Sequence, residues 1–278
     1  MLVNLDKIYK DANLKNYAIP QFNINNLEWA KYILEECEVN KSNVILGVSL
    51  NAIKYMGGYN VVVSLIKSLI SDLNITIDVS LHLDHADSFI SCKKAIDAGF
   101  TSVMIDASKY DIDKNIEIVK EVKEYAKKYN VTVEAEIGYI GNDDKIEYAS
   151  VSDSELLVKE TNIDLLAPSL GNIHGIYKNK PKLDFDRMKE IKEKVKIPLV
   201  LHGGSFLSDD DIKKSISCGI NKININTELQ IAFTKGIKEA FSNNKDEYEF
   251  RKLMKFVEKN IKEIVRNKII LFGSATIK

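Results

Sequence analysis

At 278 residues, 45% hydrophobic and 28% charged, the chain has the composition of a soluble globular protein, with room for one large barrel or two modest domains. Its formal net charge of −1 gives no reason to expect nucleic acid or an anionic membrane as the main partner. The opening "MLVNLDKIYK" lacks the apolar core of a signal peptide, no apolar run reaches the about 18 residues of a membrane span, and Cys37, Cys92 and Cys218 form no C-x-x-C pair, which together suit a reduced, cytoplasmic setting.

Along the chain, short β-rich runs alternate with longer amphipathic ones. The first strand is expected at 17–23 ("YAIPQFN"), followed by the helical pattern "NNLEWAKYILEECEV". Strands at 43–49 ("NVILGVS") and 77–83 ("IDVSLHL") flank the helical "YNVVVSLIKSLISDL". The pattern continues with a helix in "SFISCKKAIDAG", a strand at 102–106, the helix "IDKNIEIVKEVKEYAKKY" and a strand at 131–137 ("VTVEAEI"). Next come "SDSELLVKE", a strand at 163–169, "FDRMKEIKEKV", a strand at 197–203 and "SDDDIKKSISCG". A last strand at 220–226 and the helix "ELQIAFTKGIKEAF" complete the series. Ser208 is a suitable N-cap, and Gly99 and Gly219 mark helix ends.

Eight strand–helix units in roughly 240 residues is the count of a (β/α)8 TIM barrel, an α/β fold with a parallel sheet. An open doubly wound sheet often carries a glycine-rich loop after its first strand, whereas this chain reads "NINNLEW" there. The tail "DEYEFRKLMKFVEKNIKEIVRNKII" adds one or two helices. No linker divides the chain, so residues 1–278 are expected to form a single barrel domain.

A barrel of this kind carries its chemistry at the C-terminal ends of its strands. Polar residues collect there: Asn23, Ser49, then His82, Asp84 and His85, Asp106, Glu134 and Glu136, His174, His202, and Asn224 with Asn226. The chain has four histidines, and all four fall on this rim. One histidine at a strand end is usually a hydrogen-bonded structural residue, but four on one rim are not explained by packing. Three neutral imidazoles with one open position make a catalytic zinc site, and His85, His174 and His202 come from three different strands. His82 is either a support for Asp84 or a barrel-interior residue.

"LHGGSF" and "NKININTE" read as a phosphate corner. Gly203 and Gly204 let main-chain N–H groups approach an anion, Ser205 and Thr227 add hydroxyls, and the loops after strands seven and eight hold phosphate in this fold.

The motifs "QFNINNLE", "HLDHADSF", "AGFTSVMIDAS", "VEAEIG", "LGNIHGIY", "LVLHGGS", "KININTEL" and "VRNKI", in this order over almost the whole chain, resemble the class II, zinc-dependent ketose-bisphosphate aldolases that act on fructose or tagatose 1,6-bisphosphate. The resemblance implies zinc bound by His85, His174 and His202. Asp84 would be the proton donor to the aldehyde oxygen. Gly175, Gly203, Gly204 and Ser205, with Asn224, Ile225, Asn226 and Thr227, would hold the dihydroxyacetone phosphate half, and Asn224 would hydrogen-bond the enediolate. Asp106 and Glu136 match acidic positions that offer alternative metal sites. The family also implies a homodimer or homotetramer and a sugar phosphate as the small-molecule partner. The residues agree with a metal mechanism. Cleavage between carbons 3 and 4 leaves a carbanion, held either by a Lewis acid or by a lysine imine. Strands six and seven contain no lysine, and Lys222 is placed at the entry of strand eight, on the wrong side of the barrel.

Three places depart from the family pattern. The loop after strand five, G-G-Q-E-D in relatives, reads "GYIGNDDKIEYAS", where Asp144 aligns best with the proton-moving glutamate and Asp143 second. "GVSLNA" stands for "GVSEGA", and Phe206 follows "HGGS" where glycine is common. Of the three arginines, Arg187 is assigned to a solvated helix face and Arg266 to a structural salt bridge. Arg251, in a segment that reads D-P-R in relatives, is expected to meet the distal phosphate of a neighbouring subunit's substrate, together with Ser49. A metal hydrolase on this fold would want an H-x-H pair on strand one, which has no histidine. Two further readings remain: an aldolase for another phosphorylated ketose or deoxy-ketoacid, and a non-catalytic barrel subunit.

Overall fold

The computed structural model describes residues 1–141, 147–177, 180–243 and 245–275, and of Asp11 and Asn13 the backbone alone. The chain begins with α1 (Leu5–Lys15), β1 (Ile19–Asn23), α2 (Leu27–Val39), β2 (Val44–Ser49), α3 (Leu50–Met56) and α4 (Tyr59–Asp72). It continues with β3 (Val79–Ala86), α5 (Phe89–Ala98), β4 (Ser102–Ile105), α6 (Ile112–Lys127), β5 (Thr132–Ile137), α7 (Val151–Thr161) and β6 (Leu165–Pro168). The last elements are α8 (Phe185–Val195), β7 (Leu199–Leu201), α9 (Asp209–Ser217), β8 (Ile220–Ile225), α10 (Thr227–Asn243) and α11 (Phe250–Leu271). The strands are parallel and pair in chain order, and β8 closes on β1 to complete a (β/α)8 barrel.

The strands form where the sequence alternates between two kinds of burial. On β3, Leu81 and Leu83 face the outer helices and join the main core, while Ser80, His82 and Asp84 alternate with them toward the barrel interior. The interior is layered. Ile19, Ile45, Met104, Leu165 and Val200 make an apolar floor. α1 seals that floor with Leu5, Ile8, Tyr9 and Ala12, which share one helix face by their spacing of three and four. At and around this level the fully buried His82, Ser102, Glu134 and Lys222 bring polar side chains into the interior, Glu134 beside Met104 and Leu165 in strand register and Lys222 beside Ile19 and Val200. Two residues beyond His82, Glu134 and Lys222 lie Asp84, Glu136 and Asn224, at the mouth.

Three sequence expectations change. α1 was not anticipated, although its apolar spacing was there to read. α3 was also missed: a seven-residue helix capped by Ser49 Oγ, which accepts from Ala52 N, and ended by Gly57. The tail, read as one or two helices, forms one, α11, which buries Leu253, Val257, Ile261, Val265 and Ile269. α11 lies so close to α10 that a β-carbon on Gly236 would be 2.6 Å from Val257 Cα. Finally, Lys222 is not at the entry of β8 on the outside of the chemistry. It projects into the barrel, fully buried, and its ammonium is paired with Glu134.

Candidate active site

In a regular strand, Asp84 and His85 would point to opposite faces. Both face the barrel mouth because β3 carries a bulge. Leu83 pairs with Val103 and Ala86 with Ile105, so β3 uses one more residue than β4 over the same span, and His85 takes a left-handed backbone with φ 50°. The bulge turns His85 toward β4, where its Nδ1 meets Asp106 Oδ2 at 3.1 Å, and toward β7, where its Nε2 lies 3.0 Å from His202 Nδ1.

His174 enters from the loop after β6, its main-chain N–H donating to Gly141 O at 3.0 Å. The three imidazole rings converge with centroids 4.7–5.6 Å apart. One ring nitrogen from each of His85, His174 and His202 lies within 4.8 Å of the others, and a second group of His85, Asp106 and Glu136 satisfies the same limit. Three imidazole nitrogens facing one point fit a divalent metal of borderline softness, and the adjoining carboxylates supply harder ligands. Glu136 Oε2 and Asn224 Oδ1 are buried there without a hydrogen-bond partner among the described residues, as expected of atoms that serve a ligand.

Electrostatics follow the same geometry. Burial alone would lower the His85 pKa, but the hydrogen bond to Asp106 and the charges of Asp84 and Glu136 push it up to about 9. Burial, and then the Asp106 charge, push Glu136 up to about 8. At His85 and Glu136 protons and a bound cation thus compete for the same atoms. Burial and the neighbouring His202 and His85 hold His174 down to about 3, and burial lowers His202 as well. Burial opposes the Asp84 charge, yet His85 and His202 beside it hold its carboxyl well below the usual range.

Asp84 is clamped by two amides from β1. Gln21 Nε2 donates to Oδ1 at 3.1 Å and Asn23 Nδ2 to Oδ2 at 2.8 Å. Gln21 was not singled out in the sequence; its alternation with Asn23 along β1 was the available signal. His82 turns out to belong to the barrel interior. Its Nδ1 pairs with Ser102 Oγ at 2.8 Å, not with Asp84.

One cavity of about 310 Å³ collects most of the expected residues. Asn23, Ser49, Asp84, the three histidines, Gly175, Gly203, Ser205, Asn224, Asn226 and Thr227 all line it. Gly203 has φ 64°, and a β-carbon there would strike Ile173 O at 2.2 Å, so only glycine fits. Gly204 acts differently from the expectation: its N–H is taken by Asn224 O at 3.1 Å, and its missing side chain admits Ile223 and Ile225. Ile225 is itself fully buried on β8. Another unforeseen support is Glu228, which accepts from Phe206 N at 2.6 Å and from Lys268 Nζ at 2.8 Å. It holds Phe206 at φ 65°, next to the Gly203–Ser205 corner, with a residue from α11.

The remaining expected residues lie elsewhere. Asp106 and Glu136 flank His85, bridged by Ser108 Oγ. Arg251, at the start of α11, is not in the cavity; it is exposed and pairs with Glu249. Arg266 makes the structural salt bridge foreseen for it, to Glu36 at 2.7 Å. Arg187 is not simply solvated: it donates to Ala149 O and pairs with Asp184. Asp143 and Asp144 lie outside the described residues.

A (β/α)8 barrel whose strand ends bring three imidazoles, an ionised carboxylate and a glycine-lined loop corner into one cavity is built as an enzyme with a cluster able to hold a metal ion. The family model for class II fructose-bisphosphate aldolase matches residues 3–276, and the chain belongs to that family: it is an aldolase, a carbon–carbon lyase. It is 48% identical over 280 aligned positions to a fructose-bisphosphate aldolase of Geobacillus stearothermophilus, covering 99% of this chain and 98% of that one. A fructose-bisphosphate aldolase of Staphylococcus epidermidis is 47% identical with the same coverage. Among solved structures, the YdjI aldolase from Escherichia coli K12 superposes with a TM-score of 0.88 at 35% identity, covering 99% of each chain. Among the described residues, no helix is long and apolar enough to cross a membrane.

Proposed function

We propose that this aldolase is zinc-dependent and reversibly cleaves fructose 1,6-bisphosphate, a ketose bisphosphate, to dihydroxyacetone phosphate and glyceraldehyde 3-phosphate. The carrying observation is the meeting, in one cavity, of the His85–His174–His202 cluster, the clamped Asp84 and the Gly203–Ser205 corner. The relatives named for this substrate support the same reading.

Bound zinc would supply Lewis acidity to the carbonyl side of the substrate. The chain's own residues do the rest. Gly175, Gly203 and Ser205, with Asn226 and Thr227 at the start of α10, face the phosphate of the dihydroxyacetone half, where helix N–H groups favour an anion. Asn224, with a buried, unpartnered Oδ1 and an Nδ2 beside His202, addresses the oxygens next to the carbon that becomes electron-rich. Asp84 gives or takes the proton at the aldehyde oxygen, aimed by Gln21 and Asn23. Asp144 is assigned the proton at carbon 3, and Asp106 and Glu136 an alternative cation position beside His85.

No imine route is available to Lys222, whose ammonium is committed to Glu134 beneath the cavity. Arg251, exposed at the start of α11, is assigned the distal phosphate of a second copy's substrate, and the reading includes a homodimer or homotetramer. Three buried, unpaired cysteines support a cytoplasmic location. The test is a coupled cleavage assay with fructose and tagatose 1,6-bisphosphate, with and without zinc. Cleavage of the fructose ester that depends on zinc is expected. Turnover of the tagatose epimer alone, or of neither ester, overturns the substrate.

A further inference from the structure

His202 is gripped from below as well as facing its two fellow imidazoles. Its Nε2 lies 2.9 Å from Glu134 Oε1, and its Nδ1 lies 3.0 Å from His85 Nε2, inside the cluster. Glu134 is fully buried on β5, and its other oxygen, Oε2, accepts from Lys222 Nζ on β8, also fully buried. An ionised carboxylate only accepts hydrogen bonds, so the contact to Glu134 requires the His202 proton to sit on Nε2. Nδ1 is then bare and faces the other imidazoles. The backbone is held too: Asn172 Nδ2 donates to His202 O at 3.0 Å.

The Glu134–Lys222 pair is hard to account for by stability. A buried ion pair rarely outperforms well-packed apolar residues of the same volume, because desolvating two charges offsets their attraction. The register neighbours of the pair, Ile19, Met104, Leu165 and Val200, are apolar and fully buried. Charge at this level has a clear structural consequence at His202, which it alone contacts among the three clustered histidines.

We infer that Glu134, with its charge balanced by Lys222, is a positioning residue that locks His202 in the Nε2–H tautomer, so that Nδ1 is the atom offered to the metal. The inference rests on the three-histidine metal centre of the proposed function. Neutral imidazole otherwise divides between two tautomers, one of which turns an N–H toward the cation, and a carboxylate behind the ring removes that choice and raises the basicity of the facing nitrogen. His82 does not share the task, since its Nε2 is 3.8 Å from Glu134 Oε2 and its Nδ1 is taken by Ser102.

The test compares wild type, Glu134→Gln, the double variant Glu134→Leu/Lys222→Met and His202→Ala. Zinc affinity is measured by competition with a chromophoric chelator. The His202 tautomer is read from ¹⁵N-histidine spectra of metal-free protein, and folding from thermal unfolding. The double variant leaves no unpaired buried charge, so it is expected to fold, to bind zinc about 10–100-fold more weakly, and to show mixed His202 tautomers. Wild-type affinity in a folded double variant overturns the role of Glu134. Should that variant fail to fold, Glu134→Gln decides: unchanged affinity with a pure Nε2–H signal overturns the role, and weakened affinity with a mixed signal upholds it. Equal zinc affinity in wild type and His202→Ala would instead overturn the metal centre itself, which separates the two failures.

Discussion

Gln21 fills the space that a side chain at position 47 would need. A β-carbon on Gly47 would lie 2.6 Å from Gln21 Nε2 and 2.9 Å from its Cδ, and that same Nε2 donates to Asp84. The glycine on β2 thus keeps room for the amide that aims the carboxylate on β3. Gly47→Ala is expected to push Gln21 off Asp84, costing about 1–3 kcal/mol of stability as an overpacked interior and lowering kcat about tenfold or more as a misplaced general acid. Adding Gln21→Ala should restore the stability but not the turnover. Thermal unfolding and kcat across the three variants check this; additive effects on both would sever the link.

Asp84→Asn should retain bound metal and substrate affinity while turnover falls by about 10²–10⁴, the range for one general acid. Metal content by elemental analysis, read beside kcat, separates proton transfer from ligation. A variant that loses its metal would make Asp84 a holder of the histidine cluster.

Chelation should abolish activity with little change in unfolding temperature, because the barrel core is built without the cluster. Activity is expected to return with zinc. Treatment with substrate and borohydride should add no mass to any lysine, since Lys222 is buried against Glu134.

Arg251→Ala should weaken use of the bisphosphate by about 1.5–3 kcal/mol, the scale of a charged hydrogen bond. Proton exchange on dihydroxyacetone phosphate alone should hardly change, because that ligand lacks the distal phosphate. Equal losses in both assays would make Arg251 structural; its pairing with Glu249 on the surface offers no other role within one copy.

Acid stability should depend on Glu38. Burial would raise its pKa, but hydrogen bonds from Lys41, the Thr76 hydroxyl and the main-chain N–H groups of Thr76 and Ile77 lower it from 4.5 to about 2. The folded state therefore binds this proton less readily than the unfolded chain. The contribution is complete above about pH 4.5 and disappears as pH falls toward 2, and solvent screening keeps it near 1 kcal/mol. Glu38→Gln should be less stable than wild type at neutral pH and indistinguishable from it near pH 2, measured by urea unfolding.

Strand spacing, helix patterns and the placing of His85, His174 and His202 at or just beyond strand ends were enough to read the barrel and its three-histidine cluster from the sequence. Periodicity and chain order are local properties, and a parallel barrel with sequential strands turns them into positions around one rim. What a residue does once there was decided by contacts between distant strands. Period-two alternation puts Asp84 and His85 on opposite faces; the bulge that brings them together arises only where β3 meets β4. Gln21, Glu134 and Lys222 lie in the recognisable stretches "QFNINNLE", "VEAEIG" and "KININTEL", but nothing local to those stretches says what each side chain meets. Their roles come from partners 63, 68 and 88 residues away in the chain. α1 carries a readable apolar face, but only the closed barrel supplies the open floor that it covers. Side-chain direction and charge pairing are set by tertiary packing, because each depends on which strands become neighbours and on how far each slides along the next.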